Sequence, residues 1–296
     1  MKKYVFPALI FLVATAIALY NIGGFPKMIG DEGIYVSQAY WLIHFKALGP
    51  YTYWYDHFPL GWAQIGLWQF LSGPATFFGY TVLSARVLMG IILGSTTSLI
   101  YILTSKLTNS KYLSFVSALI FITSTLTLTF DRMVLLDNLA VFWFLLSLVI
   151  LIMRPTSIKN LALSGLSLSI AILTKESLLF FLPPYLFLTY YLNRTNTHRK
   201  YALLVSYTTI FFLLSFFPLL AVLKNELLPR TGQVSLFDTV LFQAGRGSGI
   251  PFWDSESHFR LMLNTWMKID PILLILGAGS TILSLILPLP TIQKIF

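Results

Sequence analysis

Eight stretches of this chain read as membrane spans: 4–23, 82–105, 112–129, 135–153, 159–174, 177–192, 201–223 and 271–288. Crossing the hydrocarbon takes about 20 mostly apolar residues in a helix, because lipid offers the backbone no hydrogen-bond partners. The pattern therefore predicts an all-α polytopic membrane protein with about eight transmembrane helices. Composition excludes the alternatives. Charged residues make up 10% of the chain, against about 25% in soluble domains, and a chain that is 56% hydrophobic is no disordered segment. The absence of cysteine removes disulfides, thiolate metal sites and cysteine nucleophiles.

The formal charge of +9 looks like a nucleic-acid signal until it is mapped onto the spans. The stretch 60–80 is short, carries Trp62, Gln64, Trp68 and Gln69, and is interrupted at Gly73-Pro74. It reads as an interfacial helix rather than a ninth span. With that parity the inner segments hold Lys2, Lys3, Lys106, Lys111, Arg154, Arg194, Arg199, Lys200 and Lys294 and no acid, while all 11 acids fall on the other side. The positive-inside rule then places the N-terminus in the cytoplasm and two long segments, 24–81 and 224–270, outside. Lys2 and Lys3 before an apolar run suggest a signal peptide, but no small-residue cleavage site follows, so the run is kept as an anchor. Residues 1–296 form one transmembrane domain, and the stop at Gln293-Lys294-Ile295-Phe296 shortly after a span reads as an incomplete C-terminus. The expected location is the inner or plasma membrane with the site facing out, the partners are membrane lipids, and no nucleic acid is expected.

Polar chemistry concentrates at the outer ends. Gly30-Asp31-Glu32-Gly33-Ile34-Tyr35 follows the first span, and Tyr35, Ala39, Leu42 and Phe45 recur about one turn apart, predicting an amphipathic helix over 32–46. Asp31 at its start suits an N-cap, and suits a catalytic carboxylate equally; the two roles coexist. Tyr53-Trp54-Tyr55-Asp56-His57-Phe58-Pro59-Leu60-Gly61-Trp62 mixes rings with polar edges, as sugar sites do and as an interfacial aromatic belt also does. Asp131, Arg132 and Asp137 crowd one turn and Lys175-Glu176 another. Arg86 opens an otherwise uncharged helix, where it either snorkels or meets a lipid phosphate. The run Gln243-Ala244-Gly245-Arg246-Gly247-Ser248-Gly249 is a flexible loop or an anion nest but no P-loop. The four histidines have no metal-ligand spacing.

Taken in order, these landmarks resemble the C-type glycosyltransferases that use polyprenyl-phosphate sugars. Closest in pattern are the dolichyl-phosphate-mannose protein mannosyltransferases and the lipid A aminoarabinose transferases. The matching residues are Asp31-Glu32-x-x-Tyr35, then His57-x-Pro59-Leu60-Gly61-Trp62 and Arg86-Val87-Leu88. Arg132-x-x-x-Leu136-Asp137 and Leu173-Thr174-Lys175 complete the series, which runs over 31–176. Phe58 departs from the family's usual proline pair. The aminoarabinose branch usually has lysine where His57 stands.

The resemblance implies inverting transfer of a sugar from a polyprenyl-phosphate donor to an acceptor hydroxyl of a protein, lipid or glycan. Asp31 would be the general base, with Glu32 or Asp137 shaping its field, and Arg86 and Lys175 would clamp the leaving phosphate. Arg132, His57, Tyr35 and Trp62 complete the expected substrate-binding set, with neither metal nor cofactor. The competing class is a transporter or flippase of lipid-linked or small polar substrates, which would place its charges at the membrane midplane.

Overall fold

The structure is a computed structural model that describes residues 5–49, 55, 57–73, 81–230, 232, 234–245 and 253–286. Asp56, the glycine-arginine loop at 246–250 and the basic residues at both chain ends lie outside the described residues. Every described element is a helix. In order they are α1 (Val5–Leu19), α2 (Gly30–Phe45), α3 (Leu60–Ser72), α4 (Val82–Thr108), α5 (Lys111–Thr123), α6 (Thr125–Phe130), α7 (Leu136–Met153) and α8 (Ile158–Thr174). A 3-10 turn (Glu176–Phe181) follows, then α9 (Leu182–Asn193), α10 (Arg199–Leu223), α11 (Leu236–Gly245), α12 (His258–Ile269) and α13 (Pro271–Ile286).

Three of these helices, α4, α7 and α10, are individually long and apolar enough to cross a membrane. The pair α12–α13, bent by 114° at Asp270, makes a fourth if it is taken as one span. Eight spans are therefore not reached by helix length. The expected span 112–129 breaks at Ser124, whose hydroxyl caps α6 by accepting from Thr127 N. The expected span 177–192 starts as a 3-10 turn because Pro183 and Pro184 fit only the first turn of α9. Helices α1, α5 and α8, of 15, 13 and 17 residues, reach only about 20–25 Å of a core about 30 Å thick. Helix α3 stops after 13 residues at Gly73, whose φ of 68° ends it.

Small residues let the long helices approach. A Cβ on Gly94 would meet the Thr15 hydroxyl and lie 2.9 Å from the Phe11 carbonyl, and one on Gly90 would lie 2.6 Å from Leu19, so α1 and α4 pack backbone to backbone. Gly165 likewise admits Ser206 of α10 against α8. Serine joins further helices: Ser164 of α8 donates to the Ser147 carbonyl of α7 at 2.6 Å and meets the Tyr185 hydroxyl of α9 at 2.5 Å. Small and hydroxylic residues inside, with Phe211, Phe212, Phe216 and Leu219 of α10 exposed, are the arrangement lipid solvation favours.

Helix α3 is more embedded than its polar residues suggest. Gln64 receives the Trp143 indole N–H at 2.6 Å and donates to the Thr174 hydroxyl at 2.7 Å, and Trp68 donates to the Ser84 carbonyl at 2.8 Å. The glutamine and tryptophan expected to face an interface instead tie α3 to α4, α7 and α8. Gly61 allows that approach, since a Cβ there would lie 2.7 Å from Leu136 and 3.1 Å from the Thr174 carbonyl.

Candidate functional site

The adjacent acids Asp31 and Glu32 part company at once, because adjacent helical positions face about 100° apart. Glu32 turns inward and is fully buried; Asp31 is exposed, and its carboxylate makes no hydrogen bond among the described residues. Glu32 meets Arg86 side-on, with Nη2–Oε1 at 2.7 Å and Nε–Oε2 at 2.8 Å. Its oxygens also accept from Ile29 N at 3.2 Å and Val134 N at 2.9 Å. Burial alone pushes this carboxyl up, but the hydrogen bonds and charge of Arg86 and the two backbone donors more than offset it, holding the group below the usual carboxylate range. The remaining Arg86 nitrogen donates to the carbonyls of Ile22 and Pro26 at 3.0 and 2.8 Å.

This geometry corrects two expectations. Arg86 does not offer a free fork to a phosphate, since Glu32 and the α1–α2 connection occupy all three of its nitrogens. Glu32 is an internal counterion rather than a group facing substrate. Together they fasten α2, α4 and the 130–135 turn into one frame.

Arg132 is also drawn inside. It is 5% exposed, donates to the Tyr20 carbonyl, stands 5.6 Å from the Phe25 ring centroid, and leaves its Nε unpaired among the described residues. Burial, with the nearby charge of Arg86, lowers its proton affinity. It caps the end of α1 instead of reaching outward. Trp62, expected as a sugar platform, is fully buried with its indole N–H unpaired among the described residues, so no ligand can stack on it in this arrangement. Tyr35 and Ala39 face the core as the amphipathic pattern predicts, whereas Phe45 is exposed.

The remaining predicted residues form a chain of neighbours. The His57 ring lies 6.0 Å from Tyr35 and 6.2 Å from Trp62, edge-on to both. Its Nδ1 lies 3.1 and 3.2 Å from the two Glu176 oxygens. Burial raises the Glu176 carboxyl, but His57 and Lys175 bring it below its ordinary value. Lys175 Nζ lies 3.8 Å from Asp137, half of whose carboxylate is open to solvent. Next to Asp137 is Asp131, which burial, aided by the Asp137 charge, pushes up to about 7. Asp31 sits one turn before Tyr35 on α2 and is exposed, where Tyr35 is buried.

Asp131 and Asp137 line a cavity of about 500 Å³ whose other walls are mainly apolar, including Ile92, Phe121, Val141 and Trp266. Asp31, Arg86 and Lys175 do not line it; Arg86 borders a separate recess beside Gly23, Pro26 and Lys27. Among the described residues, no three His, Asp or Glu side chains are grouped to hold a metal ion.

Sequence reading missed three further contacts. Glu176 was legible as a turn residue but not as the partner of His57. Tyr55 donates to Glu226 at 2.7 Å, joining the segments 24–81 and 224–270, and the buried hydroxyl facing that carboxylate is pushed above its ordinary range. Asp270 accepts from the Ser124 hydroxyl at 2.6 Å and from Leu273 N at 3.0 Å, bracing the α5–α6 break against α13.

No match to a curated protein or to a solved structure was found. The family model described as dolichyl-phosphate-mannose-protein mannosyltransferase matches residues 8–224, roughly three quarters of the chain. The chain therefore belongs to the dolichyl-phosphate-mannose-protein mannosyltransferase family, a family of membrane glycosyltransferases.

Proposed function

We propose that this protein transfers a sugar from a polyprenyl-phosphate carrier to an acceptor hydroxyl at the outer membrane face, inverting the anomeric carbon. The observation carrying this reading is the row Tyr35–His57–Glu176–Lys175–Asp137, built from four sequence-distant segments, with the exposed Asp31 one helical turn from Tyr35 on α2. The shorter apolar helices complete about eight crossings, with the N-terminus in the cytoplasm.

Asp31 acts as the base. It is open to solvent and free of competing donors among the described residues, so its lone pairs are available to an acceptor O–H. As that proton moves to Asp31, the acceptor oxygen forms a bond to the anomeric carbon from the face opposite the phosphate. The bond from that carbon to the phosphate oxygen breaks. The leaving group departs as a stable lipid phosphate anion and needs no acid. Lys175, partly exposed and 3.8 Å from Asp137, is the cation that meets it. Glu32 and Arg86 hold α2 so that Asp31 stays at the edge. Charges gathered at helix ends favour this reading over a transporter, which needs them at mid-bilayer.

The test is incubation of the purified protein in lipid with a panel of polyprenyl-phosphate sugars and hydroxyl acceptors, following released lipid phosphate and the product's anomeric configuration. Release tied to an inverted product supports the proposal. Release from no donor, or retention of configuration, contradicts it.

A further inference from the structure

We infer that Glu176 is a positioning residue, which holds His57 as its Nδ1–H tautomer and thereby presents the Nε2 lone pair to a hydroxyl of the donor sugar. This rests on the transferase reading for the identity of the ligand, but not for the tautomer.

A carboxylate only accepts hydrogen bonds, and both Glu176 oxygens lie within 3.2 Å of Nδ1, so the Nδ1 proton must be the one shared. A neutral imidazole then has no proton on Nε2. That nitrogen makes no hydrogen bond among the described residues, yet it is not among the sealed, unpaired polar atoms. The buried Tyr35 and Trp62 rings stand edge-on to the imidazole at 6.0 and 6.2 Å. An unprotonated ring nitrogen is a good acceptor for an O–H and a poor partner for a phosphate anion, which carries mostly lone pairs near neutral pH. The two residues of the turn thus divide the work. Lys175 supplies positive charge beside Asp137, while Glu176 orients the His57 ring through Nδ1.

Free histidine side chains favour the other tautomer, with the proton on Nε2, so the assignment is visible spectroscopically. The protein is labelled with 15N-histidine in lipid nanodiscs at pH about 8.5, well above the ordinary imidazole range. The His57 signals among the four histidines are identified by their loss in His57→Gln. The wild-type protein is expected to show a protonated Nδ1 and a bare Nε2. Glu176→Ala should move the proton to Nε2, and Glu176→Gln, whose amide oxygen still accepts, should leave it on Nδ1. In transfer assays Glu176→Ala should raise KM for the donor by roughly tenfold, the scale of one hydrogen bond, with kcat changed by less than about threefold; Glu176→Gln should largely restore KM.

A protonated Nε2 in the wild type, which needs no Glu176 variant to detect, overturns the inference, as does an unmoved tautomer in Glu176→Ala. A shifted tautomer with unchanged KM overturns the sugar contact. Failure to transfer from any donor removes the transferase reading and the sugar contact together, while the nitrogen spectra still decide what Glu176 does.

Discussion

Replacing Arg86 by methionine is the sharpest perturbation of the frame. Glu32 is 0% and Arg86 3% exposed, so the substitution leaves a carboxylate sealed inside with only the Ile29 and Val134 N–H groups facing it. Removing one member of a buried ion pair costs about 3–5 kcal/mol. The Ile22 and Pro26 carbonyls lose their donor as well, and each such loss is worth about 0.5–1.5 kcal/mol. The expected total is on the order of 4–8 kcal/mol. Adding Glu32→Gln removes the stranded charge and should recover at least about 2 kcal/mol, because a neutral amide is far cheaper to bury. Reversible unfolding in mixed micelles, followed by the fluorescence of the seven tryptophans, reads both quantities. A loss under about 1 kcal/mol for Arg86→Met, or no recovery in the double variant, would refute the structural role argued for the pair. It would return Arg86 to the candidates for holding phosphate.

Other outcomes follow from the same contacts. The folded Glu32 carboxyl lies below its ordinary value of 4.5, so its contribution is present above that pH and is lost as pH falls through the lowered value; acid unfolding should begin below about pH 4.5, and Glu32→Gln should flatten that limb. Asp131 has the opposite sign. Its carboxyl is raised from 3.8 to about 7, so the folded state holds the extra proton and stability falls as pH climbs between those values; Asp131→Asn should stabilise the protein at pH 8 by about 1–2 kcal/mol, after allowance for partial solvent screening, and change little at pH 4. Gly94→Val drives a branched side chain into Thr15 and the Phe11 carbonyl; the expected cost is about 1–3 kcal/mol or more, with faster proteolysis of the α1 region as the readout.

Much of the helix inventory was readable from apolar runs, because lipid forces each span to satisfy its own backbone and so to announce itself in sequence. The breaks were less visible. Nothing in a run of hydrophobic and hydroxylic residues marks Ser124 as a cap, since serine serves equally inside a membrane helix, and its partner Asp270 lies 146 residues away. At the site, the resemblance picked out Arg86 and Glu32 but could not distinguish a fork that grips a ligand from one that grips its own chain. That distinction depends on the inward turn of Glu32 and on the Ile22 and Pro26 carbonyls, which are properties of the fold. Likewise Trp62 and Gln64 read as interfacial because polar and aromatic residues collect there, yet close approach at Gly61 buries the first and bonds the second to its neighbours. Lys175 and Glu176 are adjacent in sequence but serve different partners, a division only the three-dimensional turn reveals.

The assignment of Asp31 is tested most directly by measuring single-turnover sugar transfer in Asp31→Asn, using protein shown to be inserted and as stable as the wild type. Asn keeps the shape and the exposed position but cannot take a proton, so transfer should fall by about 10²–10⁴-fold while donor binding stays near the wild-type level. Transfer at the wild-type rate in that variant would contradict the account.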